Sequence, residues 1–153
     1  MMIDIRPAGL DDWPTITEFN LRLADESEGK TLDRPTLAEG VRAVLADVAK
    51  GRYFLACRDG RIVGQVMITY EWSDWRNGTI WWLQSVYVSP EHRRQGVLRR
   101  LMEHVEHTAR GEGAVVGLRL YVERNNRRAQ ATYKSFGLSE PGYFVMERLF
   151  EPG

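Results

Sequence analysis

Apolar positions recur along this chain in two periods, alternate and helical, and the switches between them outline its elements. IDIRPA reads as a short strand. Asp11 or Asp12 can cap a helix that holds Trp13, Ile16, Phe19, Leu21 and Leu23, and the acidic stretch ADESEGKTLDR follows as a loop. Thr36 opens a second helix with Leu37, Val41, Val44, Leu45 and Val48 on one face, closed by Gly51. YFLACR and RIVGQVMITY are β-rich runs joined at Asp59-Gly60, a strong hairpin signal, and a second such signal, Asn77-Gly78, leads into TIWWLQSVYV. Val97, Leu98, Leu101, Met102, Val105 and Ala109 have helical spacing, stopped by Gly111 and Gly113. GLRLYV is a strand, NNRRAQATYKSF a helix and YFVMERLF a last strand. The order βααβββαβαβ predicts an α/β domain, a mixed sheet flanked by helices.

Length and charge narrow the function classes. With 153 residues the chain reads as a single domain spanning 1–153, large enough to bury a core without metals or disulfides. Its 21 basic and 21 acidic residues cancel, so no overall field favours nucleic acid or an anionic membrane. The lone Cys57 forms no internal disulfide, and MMIDIRPAGLDD lacks the basic and apolar regions of a signal peptide. A cytoplasmic location is expected, with no nucleic-acid or membrane partner. His104 and His107 lack a third ligand, so no metal is expected.

The chemistry is expected in the joints. VSPEHRRQGVLRRL runs from the end of a strand into a helix, where unpaired N–H groups lie at the positive end of the helix dipole. A glycine there admits an anion to the backbone, and arginines add charge-assisted hydrogen bonds. Arg93, Arg94, Gly96, Arg99 and Arg100 therefore describe a phosphate cradle, or else a basic, solvated helix start. No GxxxxGK[ST] is present. GEGAVVG follows a helix and precedes a strand, the reverse of a dinucleotide fingerprint, and reads as a helix stop.

VYVSPEHRRQGVL resembles the acetyl-CoA motif of the GNAT acetyltransferases, [RQ]xxGx[GA] after a V-x-V strand. NRRAQATYKSFGL meets a second pattern of that family through Asn126, Ala129, Tyr133, Gly137 and Leu138. Leu98 departs from the pattern, standing where the family has a small residue, and must turn toward the core if it is not to crowd the pyrophosphate. The resemblance implies acetyl-CoA as the donor, cradled by Arg93, Arg94, Gln95, Gly96, Val97, Leu98 and Arg99. It also implies a strand at Val86-Tyr87-Val88 that splays from GLRLYV to receive the pantetheine arm, with Asn126 beside it. Tyr133 is then the acid that protonates the departing thiolate, although its spacing with Ala129 and Phe136 alone is that of a core tyrosine. The family is often dimeric, so a homodimer is a further implication.

The acceptor implied is an amine. WWLQ lacks the glutamate that many family members place before VYV. If Asn77-Gly78 closes a two-residue hairpin, Glu71 lies opposite Gln84 and takes that place as base; otherwise it is a solvated edge residue. In that register Trp72 and Trp81 share a packing face, while Trp75 and Trp82 share the other with Glu71. These aromatics, with Glu26 and Glu28 from the acidic loop, predict a small cationic acceptor. The alternatives are a non-catalytic acyl-CoA sensor, a protein or peptide amine acetyltransferase, and a nucleic-acid module using RRQGVLRR.

Overall fold

A computed structural model describes residues 2–151. The chain divides into an N-terminal unit through Tyr121 and a smaller unit from Val122 onward. The first contains β1 (Asp4–Pro7), α1 (Trp13–Glu28), α2 (Arg34–Ala46), β2 (Arg52–Arg58), β3 (Arg61–Ser73), β4 (Gly78–Val88), α3 (Val97–Gly111) and β5 (Val115–Leu120). These strands form one sheet in the order β1-β2-β3-β4-β5, antiparallel except for the parallel pair β4–β5. The second unit carries α4 (Arg127–Ser135). No described helix is long and apolar enough to cross a membrane.

Helices cover both faces of the sheet. Ile16 of α1 and Val41 and Val44 of α2 pack on Tyr53 and Leu55 of β2. On the opposite face α3 buries Val97, Leu101, Val105 and Ala109, at helical spacing. It approaches so closely that a Cβ on Gly64 of β3 would stand 3.0 Å from Val97.

Local chemistry sets the element ends, several of them differently from expectation; α2, for one, ends at Ala46 and leaves Val48 exposed instead of running to Gly51. The stretch Ala24–Glu28 is the last part of α1, ended by Gly29 at φ +62°. Of its acidic residues Asp25 and Glu28 face solvent, while Glu26 reaches Tyr87 and Arg93. Asp12 does not cap α1 with its side chain; the carboxylate turns back to accept from Gly9 N at 2.7 Å and from the Arg6 guanidinium at 2.8 and 2.9 Å. The α2 helix begins at Arg34, before Thr36, because Asp33 is the cap and accepts from Thr36 N at 3.1 Å.

The two hairpins differ. Arg58 pairs with Arg61 across Asp59-Gly60, both at positive φ, the expected two-residue turn. Asn77-Gly78 is not such a turn. Ser73 pairs with Gly78 across a loop at 74–77, and only Asn77 takes positive φ. Gly78 serves another purpose: a Cβ there would stand 2.3 Å from a Val116 methyl, so glycine lets β5 close on β4. The predicted register is displaced by an even number of residues, which preserves which face each side chain occupies.

In the C-terminal unit Asn126 caps α4 by accepting from Ala129 N at 3.0 Å. Gly137, at φ +92°, stops it, and Leu138 N donates back to Tyr133 O at 3.1 Å. The expected last strand does not form: among the described residues none after Leu120 is in a strand. YFVMERLF has a strand-like composition, but a strand exists only when a neighbouring backbone completes its ladder. Tyr143, Phe144, Val145, Met146, Leu149 and Phe150 are exposed.

Candidate functional site

The start of α3 has the form of an anion cradle. Gly96 is the N-cap at φ +85° and no side chain caps the helix, so its first N–H groups point outward. Arg94 also takes positive φ, +62°, which curls the preceding turn. A Cβ built on Gly96 would meet no heavy atom within 4 Å, so the backbone there is open to a phosphate. Arg94 and Arg99 are exposed, Val97 is buried, and Leu98 is half-buried, at the margin of the face that holds Leu101. Gln95 bonds the Arg58 guanidinium and donates to Glu91 O at 3.0 Å. The preceding turn is fixed by buried Ser89, whose hydroxyl meets His92 Nδ1 at 2.9 Å.

Arg93 reaches away from the cradle. Its Nε donates to Val88 O at 2.8 Å, its Nη2 to Glu26 Oε1 at 2.7 Å, and its guanidinium lies 5.4 Å from the Tyr87 ring centroid. Tyr87 donates to the other Glu26 oxygen at 2.6 Å. Both oxygens of Glu26 are thus engaged, tying the end of α1 to β4. Burial raises the Glu26 carboxyl, but the bonds from Tyr87 and Arg93 outweigh it and hold the group below its ordinary range. Burial and the Glu26 bond push the Tyr87 phenol up to about 12. Glu28 faces solvent beside Lys30 at 3.5 Å.

β4 runs on past the end of β5. Their pairing ends at Leu83 with Leu120, where β5 itself ends, so among the described residues Gln84–Val88 have no strand partner on that side. A bulge sharpens the departure: Gln65 pairs with Tyr87 but Met67 with Gln84, which puts Ser85 and Val86 against Val66 alone. Ser85 takes φ +52°, an unusual backbone for serine. Buried polar groups hold it there. Gln65, fully buried, donates to Ser85 O at 2.9 Å; Tyr53 bonds the Ser85 side chain and receives Asn20 Nδ2 at 3.1 Å. The backbone of Val86 and the N–H of Val88 thereby lie along the stretch of β4 that β5 does not cover, the Val88 carbonyl being taken by Arg93.

Gln65→Leu tests this support. Gln65 Oε1 has no partner, so the change removes one buried unpaired group while creating another at Ser85 O. Stability should change little. If acetyl-CoA, the donor that the sequence resemblance implies, lies along this edge, the freed bulge should raise its KM about tenfold, from a carbonyl worth roughly 1–3 kcal/mol. A KM unchanged from wild type would show that Tyr53 and the β3 backbone hold the bulge without Gln65.

The acceptor side of β4 keeps its predicted faces and loses its predicted partners. Glu71 lies opposite Ile80, not Gln84; Gln84 instead donates to Thr69 Oγ1 at 2.6 Å. Trp82 shares the face of Glu71 and donates its indole N–H to Oε1 at 2.7 Å. Arg119 of β5, in register with Trp82, reaches both carboxylate oxygens at 3.1 Å. These bonds, Trp82 foremost and then Arg119, hold Glu71 below the ordinary carboxylate range, which makes it a poor proton acceptor. Of the expected packing pair only Trp81 is buried; Trp72 is 61% exposed. Trp75 lies in the hairpin loop, 88% exposed, not on the strand face with Trp82.

Tyr133 lies half-buried on α4, where burial raises its phenol above the ordinary value. Residues missed in the sequence are Gln65, Tyr53, Asn20, Arg119 and Tyr121. Arg119 had a readable signal: a parallel strand between helices is ordinarily apolar throughout, and a charge between Leu118 and Leu120 breaks that rule.

Residues 13–138 match the model of the acetyltransferase (GNAT) family. A possible acetyltransferase from Clostridium difficile 630 is 44% identical, with TM-score 0.92 over 99% of this chain and 100% of that one. A predicted acetyltransferase from Clostridium acetobutylicum, solved with acetyl-CoA, shares the fold at 18% identity, with TM-score 0.79 over 96% of each chain. A thialysine N-epsilon-acetyltransferase of Bos taurus is 33% identical over 79 residues, which are 52% of this chain and 45% of that protein, so the match spans less than half of the bovine relative. With the uncapped glycine start of α3 beside the opened edge of β4, these likenesses place the chain in the acetyltransferase (GNAT) family.

Proposed function

We propose that this protein transfers an acetyl group from acetyl-CoA to a primary amine on a small molecule, by direct attack while both are bound. The observation that carries the reading is the departure of β4 from β5 after Leu83 and Leu120, next to the open, uncapped start of α3. That pairing of an unsatisfied strand edge with an anion cradle suits a ligand with an amide-bearing arm and phosphates.

The bound thioester supplies an activated acetyl carbonyl. Backbone groups of Val86 and Val88 would pair with the pantetheine arm, and one N–H of this segment would polarise the carbonyl. The N–H groups at Gly96, Val97 and Leu98, with Arg94 and Arg99, would hold the phosphates. As the amine nitrogen bonds to the acetyl carbon and gives up its proton to water, the carbon–sulfur bond breaks and Tyr133 gives the sulfur its proton, which the phenolate then regains from solvent. Asn126 shapes the start of the helix that carries Tyr133. An amine acceptor agrees with the name of the bovine relative. Glu71 and Trp82 serve as binders of the acceptor, since Glu71 is too strongly paired to act as base. Glu26 and Glu28 add negative charge near the end of α1.

Incubation with acetyl-CoA and a panel of small amines should release CoA and add an acetyl mass to the amine. A panel spanning diamines, amino acids and amino sugars with no release above buffer would overturn the reading.

A further inference from the structure

The Glu71–Arg119 pair has a chemistry that a simple cation site lacks. We propose that it is the subsite for the head group of an α-amino acid, whose ammonium meets Glu71 and whose carboxylate meets Arg119, leaving a side-chain amine to be acetylated. This rests on the amine-acetylating reading above and names the acceptor class.

The donor geometry is half used. Both contacts to Glu71 are made by Arg119 Nη1 alone, at 3.1 Å. Nε and Nη2 thus remain to present the two-pronged donor that suits a second carboxylate. Glu71 Oε1 receives both Trp82 and Arg119, whereas Oε2 receives Arg119 only and keeps room for an ammonium. Neither group is sealed: the side chains of Arg119 and Glu71 are 25% and 40% exposed. Trp82, bonded to Glu71, lies against the exposed Tyr121, their ring centroids 4.6 Å apart.

Charge selects against a bare cation. Arg119 neutralises Glu71, and Arg76 in the hairpin loop adds a further positive charge at longer range. A diamine would find one acceptor beside a guanidinium that repels it. A zwitterionic head group finds a partner for each of its charges, and the surplus positive charge favours its carboxylate.

Reach agrees as well. Trp82 and Arg119 are in register one rung before Leu83 and Leu120, where the β4–β5 pairing ends. Gln84, the first residue past that pairing, is two residues along β4 from Trp82, about 7 Å at ordinary strand rise. A side chain of four methylenes spans roughly 6 Å at ordinary bond lengths. The head group at Arg119 therefore sets a lysine-length amine at the opening that receives the acyl donor.

L-lysine compared with 1,5-diaminopentane, the same diamine without the carboxylate, tests the proposal. The wild type should favour lysine in kcat/KM by about tenfold or more, the scale of a charge-assisted bond. Arg119→Gln should bring that ratio near one through a higher KM for lysine. Arg119→Lys keeps the charge beside Glu71 without the two-pronged geometry, and should lose most of the preference while protecting the fold. A wild type without preference, or a preference that survives in both variants, overturns the subsite while leaving amine acetylation intact. Should no amine be acetylated, calorimetry still decides: lysine binding that the wild type shows and Arg119→Lys lacks supports the subsite, and equal binding or none refutes it.

Discussion

Gly96→Glu is expected to abolish acetyl-CoA binding in calorimetry, with the fold retained. Gly96 occupies the left-handed region at the first position of the cradle, and a Cβ there projects into open space rather than into the protein. The new carboxylate would stand where the phosphates of the donor are to sit, and would occupy the N–H groups that should receive them. The left-handed backbone costs a side chain roughly 1–2 kcal/mol, which a domain of this size tolerates. Gly96→Gln carries the same strain and bulk without the charge. It should therefore weaken binding less than the glutamate does, and the difference measures the electrostatic part of the cradle. Unchanged affinity in Gly96→Glu would remove the start of α3 from the donor site.

The start of α3 was legible because it is written in local chemistry. A glycine before an apolar helical run marks a helix start whatever the rest of the fold does, and Gly96 takes that place as the N-cap, with Arg94 also at positive φ. Asn126 was equally local, a cap on α4. Arg93 shows the limit: its neighbours in sequence pointed to phosphate, while its side chain bonds Val88 O and Glu26, a residue from the far end of α1.

The acceptor half depended on register, which one glycine decided. Asn77-Gly78 is a turn signal on sequence grounds, but close packing against Val116 claims Gly78 for the strand. Glu71 and Trp82 still met, because the displacement was even and their face was preserved. Arg119 stood out as a charge in an apolar strand, but its partner did not: a parallel crossover through α3 brings it to Glu71. That contact turns an apparent cation site into a neutral pair. The last strand failed for a related reason: alternation in YFVMERLF predicts a strand only where a partner backbone exists, and composition carries no partner.

Tyr133→Phe should lower kcat by roughly 10²-fold, the low end for general acid catalysis because water can partly substitute. The ring and its packing remain, so the melting temperature and the affinity for acetyl-CoA should hardly change. Burial already holds the phenol above its ordinary value, so the wild-type hydroxyl keeps its proton throughout the neutral and moderately alkaline range. The sign of the pH dependence follows. An acid acts in its protonated form, which is lost only as pH climbs through a pKa that burial here holds above that of an ordinary tyrosine. The acceptor must instead lose a proton, and its free fraction rises toward the pKa of an amine near ~10. Wild-type kcat/KM for the amine should therefore climb with pH and not fall in the neutral or moderately alkaline range. In Tyr133→Phe the climb should persist at a lower level, because the amine still titrates, while any decline at still higher pH should vanish with the phenol. A wild-type profile that falls in the neutral range would assign the acid to a group of lower pKa. An unaltered kcat in the variant, under conditions where the transfer step limits turnover, would leave Tyr133 a packing residue of α4.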